Sequence, residues 1–293
     1  MRESLSIVVP IHRSKKTLPV PPLKKWSSET DESFEIIFAL DHAQEGDSLT
    51  EWCQNELPKE ALIVHGEFGN PGETRNLGLE KVSHDWVAFV DSDDYFDSDA
   101  AAKAIKEFGK ESDLIICNYY VMDENYKLKF KANKPSNLAN LFPELGFWRI
   151  LYRKEFIRDI YFPKYKMGED QVFVSRILSK GPRISFCPFV IYHYVEGEHD
   201  QISKAKSAHI ELALSLRQMK SELKLTENFL DFRKLLIFRQ EFSKILKFQK
   251  KIPINLFRAL YRLDLRPKGI MLFIKSLGSY GVWFLKRRNE FKR

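Results

Sequence analysis

Cysteine is scarce in this sequence: Cys53, Cys117 and Cys187 are the only three, more than sixty residues apart, and none forms a CxxC pair. That spacing argues against both a zinc site and a disulfide framework and leaves a reducing cytosol as the expectation. Long apolar runs are also missing. LSIVVPI (5 to 11) follows the acidic Glu3 and stops at His12 and Arg13, so it lacks the apolar core and cleavage site of a secretory signal and reads as a first strand. The nearest approach to a membrane span is residues 269 to 285, but Lys275 and several Gly and Ser interrupt it, so it is expected to be interfacial or packed. No internal repeat is visible, and no nucleic-acid-binding motif is present.

What is there suffices for a folded body. Of 293 residues, 44% are hydrophobic and 13% aromatic, enough to bury at least one core. The formal charge of +7 is unevenly placed: residues 244 to 293 hold 14 Lys and Arg against Asp264 and Glu290, a net of +12, which leaves the rest of the chain at −5. An acidic body therefore carries a basic tail. The body alternates β-branched runs, 5 to 11, 34 to 40, 61 to 66, 85 to 91 and 113 to 122, with helical intervals at 73 to 83 and 99 to 109, the latter opening on the cap candidates Asp97 and Ser98. Continuous rather than alternating apolar runs are those of strands buried on both faces, so the expected class is α/β, a mainly parallel sheet flanked by helices. The prolines of LPVPPL (18 to 23) prevent a long first helix. From about residue 204 helical spacing replaces the strands, which gives an expected division into 1–204 and a helical, basic region 205–293.

Ligands of open parallel sheets lie beyond the carboxyl ends of the strands, so the residues ending each run carry the functional information. The second run ends at Asp41, the third is followed by EFGNPGETRNLG, and the fourth runs into DSDD, Asp91 to Asp94. Three carboxylates in four residues repel one another unless a cation or a donor network occupies them. A hard divalent ion shared with phosphate oxygens meets that need; helix and turn capping by the same aspartates is the structural alternative.

SIVVPIHR, EIIFALD, GNPGETRNLGL, WVAFVDSDDYF and MGEDQVF, in this order, resemble the motifs of family 2 glycosyltransferases of the GT-A fold, over residues 4 to about 203. The resemblance implies an inverting transfer of a sugar from a nucleotide diphosphate, a UDP-sugar first, with Mn2+ or Mg2+ as cofactor. It implies Asp41 as the reader of the base, Arg75 and Asn76 near the diphosphate, Asp91 at the ribose, Pro10 and Ser92 as further nucleotide-sugar contacts, and Asp93 as metal ligand. Asp170 is implied as the base with Glu169 beside it, and His193 or His199, in IYHYVEGEHDQIS, as a further metal or phosphate contact. Trp148, in FWRILYRKEFI, is the candidate for stacking on the acceptor sugar. LDHAQEGD departs from the family's usual DDGSTD, which weakens base recognition more than catalysis.

A sugar-phosphate nucleotidyltransferase would carry a Gly-rich loop after the first strand, and a haloacid-dehalogenase-type phosphatase its aspartates there; PIHRS holds neither. The remaining alternative is an inactive GT-A-like binding or membrane scaffold. The expected partners are a nucleotide sugar, a glycan or lipid-linked acceptor of surface polysaccharide synthesis and the inner-membrane surface, with no nucleic acid. Arg258, Arg262 and Arg266 share a helical face, and Phe273, Leu277, Tyr280 and Phe284 recur at helical spacing with Trp283 as anchor. That pairing of cationic and apolar surface suits an anionic bilayer interface, so the expected location is the cytoplasmic face of the membrane.

Overall fold

A computed structural model describes residues 4–12, 34–42, 48–56, 61–131 and 146–196, with Ser215 and Gln218 beyond them. The chain divides into two units, Met1–Glu211 and Leu212–Arg293. The expectations placed on residues 18 to 23, on His199 and on 252 to 293 lie outside the described residues.

Among the described residues nine strands form one sheet: β1 (Leu5–His12), β2 (Phe34–Asp41), β3 (Leu62–Gly66), β4 (Trp86–Phe89), β5 (Tyr95–Phe96), β6 (Leu114–Asp123), β7 (Leu128–Lys131), β8 (Ile150–Arg153) and β9 (Ile184–Glu196). Their order is β3-β2-β1-β4-β8-β6-β9-β5, with β7 on β6. The long ladders, β1 with β2 and β4, β2 with β3, and β6 with β9, are parallel. The antiparallel pairings that β8 makes with β4 and β6 are two and three residues long. Along β1, Ile7 and Val9 enter one core, with Phe38, Trp86 and Ile115, while Val8 enters the other, with Ile37, Phe89 and Phe173. Successive side chains of a strand point to opposite faces, so burial on both sides accounts for the unbroken apolar runs. β3, at the sheet edge, is the exception, with Leu62 44% exposed.

The helices cover these faces: α1 (Ser48–Glu56), α2 (Pro71–Leu79), α3 (Ser98–Phe108), the single turn α4 (Lys154–Ile157) and α5 (Glu169–Ser179). Asp97 caps α3 by accepting from Ala100 N at 2.9 Å, and Ala101, Ala104 and Ile105 are its buried stripe. α2 starts two residues earlier than the apolar spacing predicts. Asn70 accepts from Glu73 N at 2.9 Å and Pro71 occupies the first turn, where its missing N–H has no intrahelical partner to lose.

α2 lies unusually close to β1. A Cβ on Gly78 would run into Val8 Cγ1. Gly78→Ala therefore gains about 1 kcal/mol of helix propensity and loses about 1–3 kcal/mol to overpacking. Chemical denaturation is expected to show net destabilisation, recovered in part by Val8→Ala in the same chain; a more stable Gly78→Ala single variant would show that the close approach does not select the glycine.

Candidate active site

The site gathers at the carboxyl ends of β1, β2 and β4, where α2, α5 and β9 each bring a polar group. Its centre is Arg75, on the buried side of α2 and 5% exposed. Arg75 Nη2 donates to Asp91 Oδ1 at 2.8 Å, and Nη1 donates to Glu169 Oε1 at 2.7 Å. Its guanidinium carbon lies 4.5 Å from the ring centre of Phe147 and 5.5 Å from that of Phe162, a stacked setting that suits a planar cation. Burial alone would lower the pKa of Arg75, but the charges of Asp91 and Glu169 and the bonds to them outweigh it and hold the group above its ordinary value.

Asp91 to Asp94 form a turn closed by Asp94 N donating to Asp91 O at 3.0 Å. The three carboxylates have different surroundings. Asp91 faces Arg75. Asp94 is 2% exposed and accepts from Tyr192 Oη at 2.6 Å and from Val195 N at 2.7 Å, which ties the turn to β9. Burial, with the charges of Asp93 and Asp91 added, pushes the Asp94 carboxyl well above the usual range against the pull of those two bonds. Asp93 sits half-buried between them. Tyr126, in the turn from β6 to β7, is raised by burial and then by the charges of Asp94 and Asp93.

Gly168 precedes α5 at φ 86°, a left-handed conformation that favours glycine, and turns the chain so that Glu169 and Asp170 open the helix. Glu169, 6% exposed, faces inward to Arg75. Asp170, half-buried, accepts from Gln171 N at 2.8 Å, and its charge adds to burial in raising the Tyr152 hydroxyl. The two neighbours thus part company: one is neutralised by a guanidinium, and the other is half-buried at the helix start with its charge felt at Tyr152.

Arg75 and Asn76, expected beside a diphosphate, both turn inward. Asn76 Nδ2 donates to Phe162 O at 2.9 Å and its Oδ1 accepts from Phe162 N at 2.8 Å, so its amide completes the backbone of a segment 86 residues away. Asp41, expected to read a base, is 1% exposed and accepts from Phe68 N at 2.7 Å and from Gly69 N at 2.9 Å, so it organises the loop before α2. Pro10 lies opposite Ala39 on β2, and Ser92 is 8% exposed within the turn. His193 packs against Tyr95 and Tyr120, at ring separations of 4.8 and 5.4 Å. Trp148 stacks on Tyr192 at 4.4 Å and on Tyr194 at 5.9 Å and meets Tyr119 edge-on, so it shares Tyr192 with the aspartate turn. Sequence reading missed Tyr192, Tyr126, His12 and His42, although Tyr192, His12 and His42 stand in the strings IYHYV, SIVVPIHR and LDHAQEGD.

The model of glycosyl transferase family 2 matches residues 6–170. EpsH of Bacillus subtilis is 27% identical over 191 residues, covering 59% of this chain and 55% of EpsH. The poly(ribitol-phosphate) beta-N-acetylglucosaminyltransferase TarS of Staphylococcus aureus is 28% identical over 212 residues, covering 66% of this chain and 36% of TarS. The chain thus spans about half the length of one relative and about a third of the other. The crystal structure of TarS residues 1–349 in complex with UDP-GlcNAc superimposes with a TM-score of 0.59 at 22% identity, over 94% of this chain and 80% of that one, and shows that the fold is GT-A.

Removing Arg75 would leave Asp91 and Glu169 as uncompensated carboxylates, a loss of about 3–5 kcal/mol for a buried pair. Arg75→Met is expected to lower the denaturation midpoint steeply and Arg75→Met with Glu169→Gln to recover part of it. Equal stability of Arg75→Met and the wild type would remove the ion triad from the fold's supports.

Proposed function

The chain belongs to glycosyl transferase family 2 and is a glycosyltransferase, and from that premise we propose that it transfers a sugar, with inversion, from a uridine diphosphate donor to a hydroxyl of a glycan or lipid-linked acceptor. The observation that carries this reading is the division of labour around Arg75: one guanidinium holds Asp91 and Glu169 inward and so fixes the positions of Asp93 and Asp170 beside them. The complex of TarS with UDP-GlcNAc supports a uridine donor for a chain of the same fold.

Mechanistically, Asp170 accepts the proton of the acceptor hydroxyl as its oxygen attacks the anomeric carbon. Attack comes from the face opposite the diphosphate, the new carbon–oxygen bond forms as the bond to the phosphate oxygen breaks, and the configuration inverts. The carboxylate oxygens of Asp93, half-buried in the turn, are hard donors of the kind Mn2+ or Mg2+ takes together with phosphate oxygens, so the residues present fit such an ion. When bound, the ion neutralises charge on the leaving diphosphate. Asp91 keeps the turn in place through Arg75, and the Asp94–Tyr192 bond keeps it against β9. Trp148 offers an aromatic wall for the acceptor, with His193 on the neighbouring part of β9.

Asp170→Asn is expected to reduce transfer by about 10²- to 10⁴-fold while UDP binding persists, and Asp93→Asn to weaken both UDP binding and its dependence on Mn2+. Calorimetry and turnover with a panel of nucleotide sugars check both; near-wild-type turnover of Asp170→Asn, or UDP affinity indifferent to divalent ion, would overturn the respective assignment. We also propose that the basic region 252–293 holds the enzyme to the anionic inner-membrane surface, at about 1 kcal/mol per cationic residue near the lipid at low salt. Full-length protein is then expected to co-sediment with anionic vesicles in a salt-sensitive way, and a chain ended near residue 250 to stay in the supernatant; equal recovery of the two in the supernatant would sink it.

A further inference from the structure

His12 ends β1 and is the parallel register partner of Asp41, which ends β2, so the two side chains leave the same face of the sheet. His42 is the next residue, and in an extended strand its side chain would point to the other face. It does not, because His42 adopts φ 58°, a left-handed conformation uncommon for a residue with a Cβ. That turn brings its imidazole back over the same edge: Nε2 of His42 lies 3.8 Å from Asp41 Oδ1, and the two imidazole rings meet edge to face at 5.5 Å. One ligand atom from each of His12, Asp41 and His42 falls within 4.8 Å of the others.

We propose that His12, Asp41 and His42 form a binding site for a transition-metal ion of the zinc class, separate from the aspartate turn. Two imidazoles and one carboxylate are a borderline donor set, which suits Zn2+, Co2+ or Ni2+ better than Mg2+. Tetrahedral zinc with bonds of about 2.0–2.1 Å sets its ligand atoms about 3.3 Å apart, so the rings must close in slightly. Both can, since His12 is exposed and the His42 side chain is 42% exposed. The carboxylate is already aimed: Phe68 N and Gly69 N hold Asp41 from behind, the outer-shell arrangement that orients a metal-bound carboxylate. Gly69 leaves the room, for a Cβ there would stand 3.1 Å from His42 Nε2.

The test is calorimetric titration of the metal-stripped, untagged full chain with zinc chloride, with no nucleotide present, so that its result is independent of the donor and acceptor proposed above. Wild type is expected to bind one equivalent. His12→Ala and His42→Asn, the latter chosen because Asn tolerates a left-handed backbone, are each expected to weaken binding by at least about tenfold, since losing a ligand costs no less than losing an outer-shell partner. Asp93→Asn is expected to bind as wild type does, and Co2+ in place of zinc to give visible ligand-field bands that both histidine variants lack. Zinc affinity unchanged in both histidine variants, no stoichiometric binding by wild type, or binding lost in Asp93→Asn alone would overturn the proposal.

Discussion

The rest of the structure's site depends on one buried cation with two carboxylates. Arg75 joins α2 to Asp91, 16 residues on, and to Glu169, 94 residues on, so three segments remote in sequence share a single guanidinium. Taking these charges out of water costs several kcal/mol per ion, and the mutual attraction repays that only with good geometry. Here the geometry is two bonds of 2.7 and 2.8 Å and aromatic rings on the cation. The gain is positional: with Asp91 and Glu169 fixed, the adjoining Asp93 and Asp170 have little freedom in where they stand.

A second tie completes the arrangement. Tyr192 donates to Asp94 and accepts from Asp91 N at 3.1 Å, and the same ring stacks under Trp148. One tyrosine of β9 therefore links the aspartate turn to the wall proposed for the acceptor. A change in the turn and a change in that wall are not independent, because both act on one side chain. Parallel pairing of β6 and β9 holds this strand along most of its length, and Arg183 clamps its base by bonding Asp113 at 2.8 Å.

The elements legible in the sequence were those whose burial is two-sided. β1, β2, β4 and β6 announce themselves because most of their residues are buried, and α3 because its cap and apolar stripe agree. β8 did not, because FWRILYR carries two arginines that hydropathy places at the surface. In the fold Arg149 Nε donates to Cys117 O at 2.8 Å, and Arg153 lies over the Trp86 ring at 4.6 Å, so both are absorbed by local partners. The same limit applies to the site. Motif strings located Asp91, Arg75 and Glu169, but which way each faces is set by contacts from distant segments. The inward turn of Asn76 to Phe162 and the left-handed backbone of His42 leave no trace in composition or spacing.

The inward commitment of Arg75 also bears on how an anionic donor is met. A guanidinium that faced a diphosphate directly would have to leave Asp91 and Glu169 unpaired, at several kcal/mol each. Two of its five N–H groups are committed to Asp91 and Glu169, and the turn it supports presents carboxylates rather than cations. On the proposed reading, charge on the leaving diphosphate is then balanced through a divalent ion at Asp93, while Arg75 acts at one remove by fixing the turn that holds it. Acidic residues at the mouth of a site for an anion are in this sense consistent: they are complementary to the ion that accompanies the donor, and the buried arginine keeps their mutual repulsion from opening the turn.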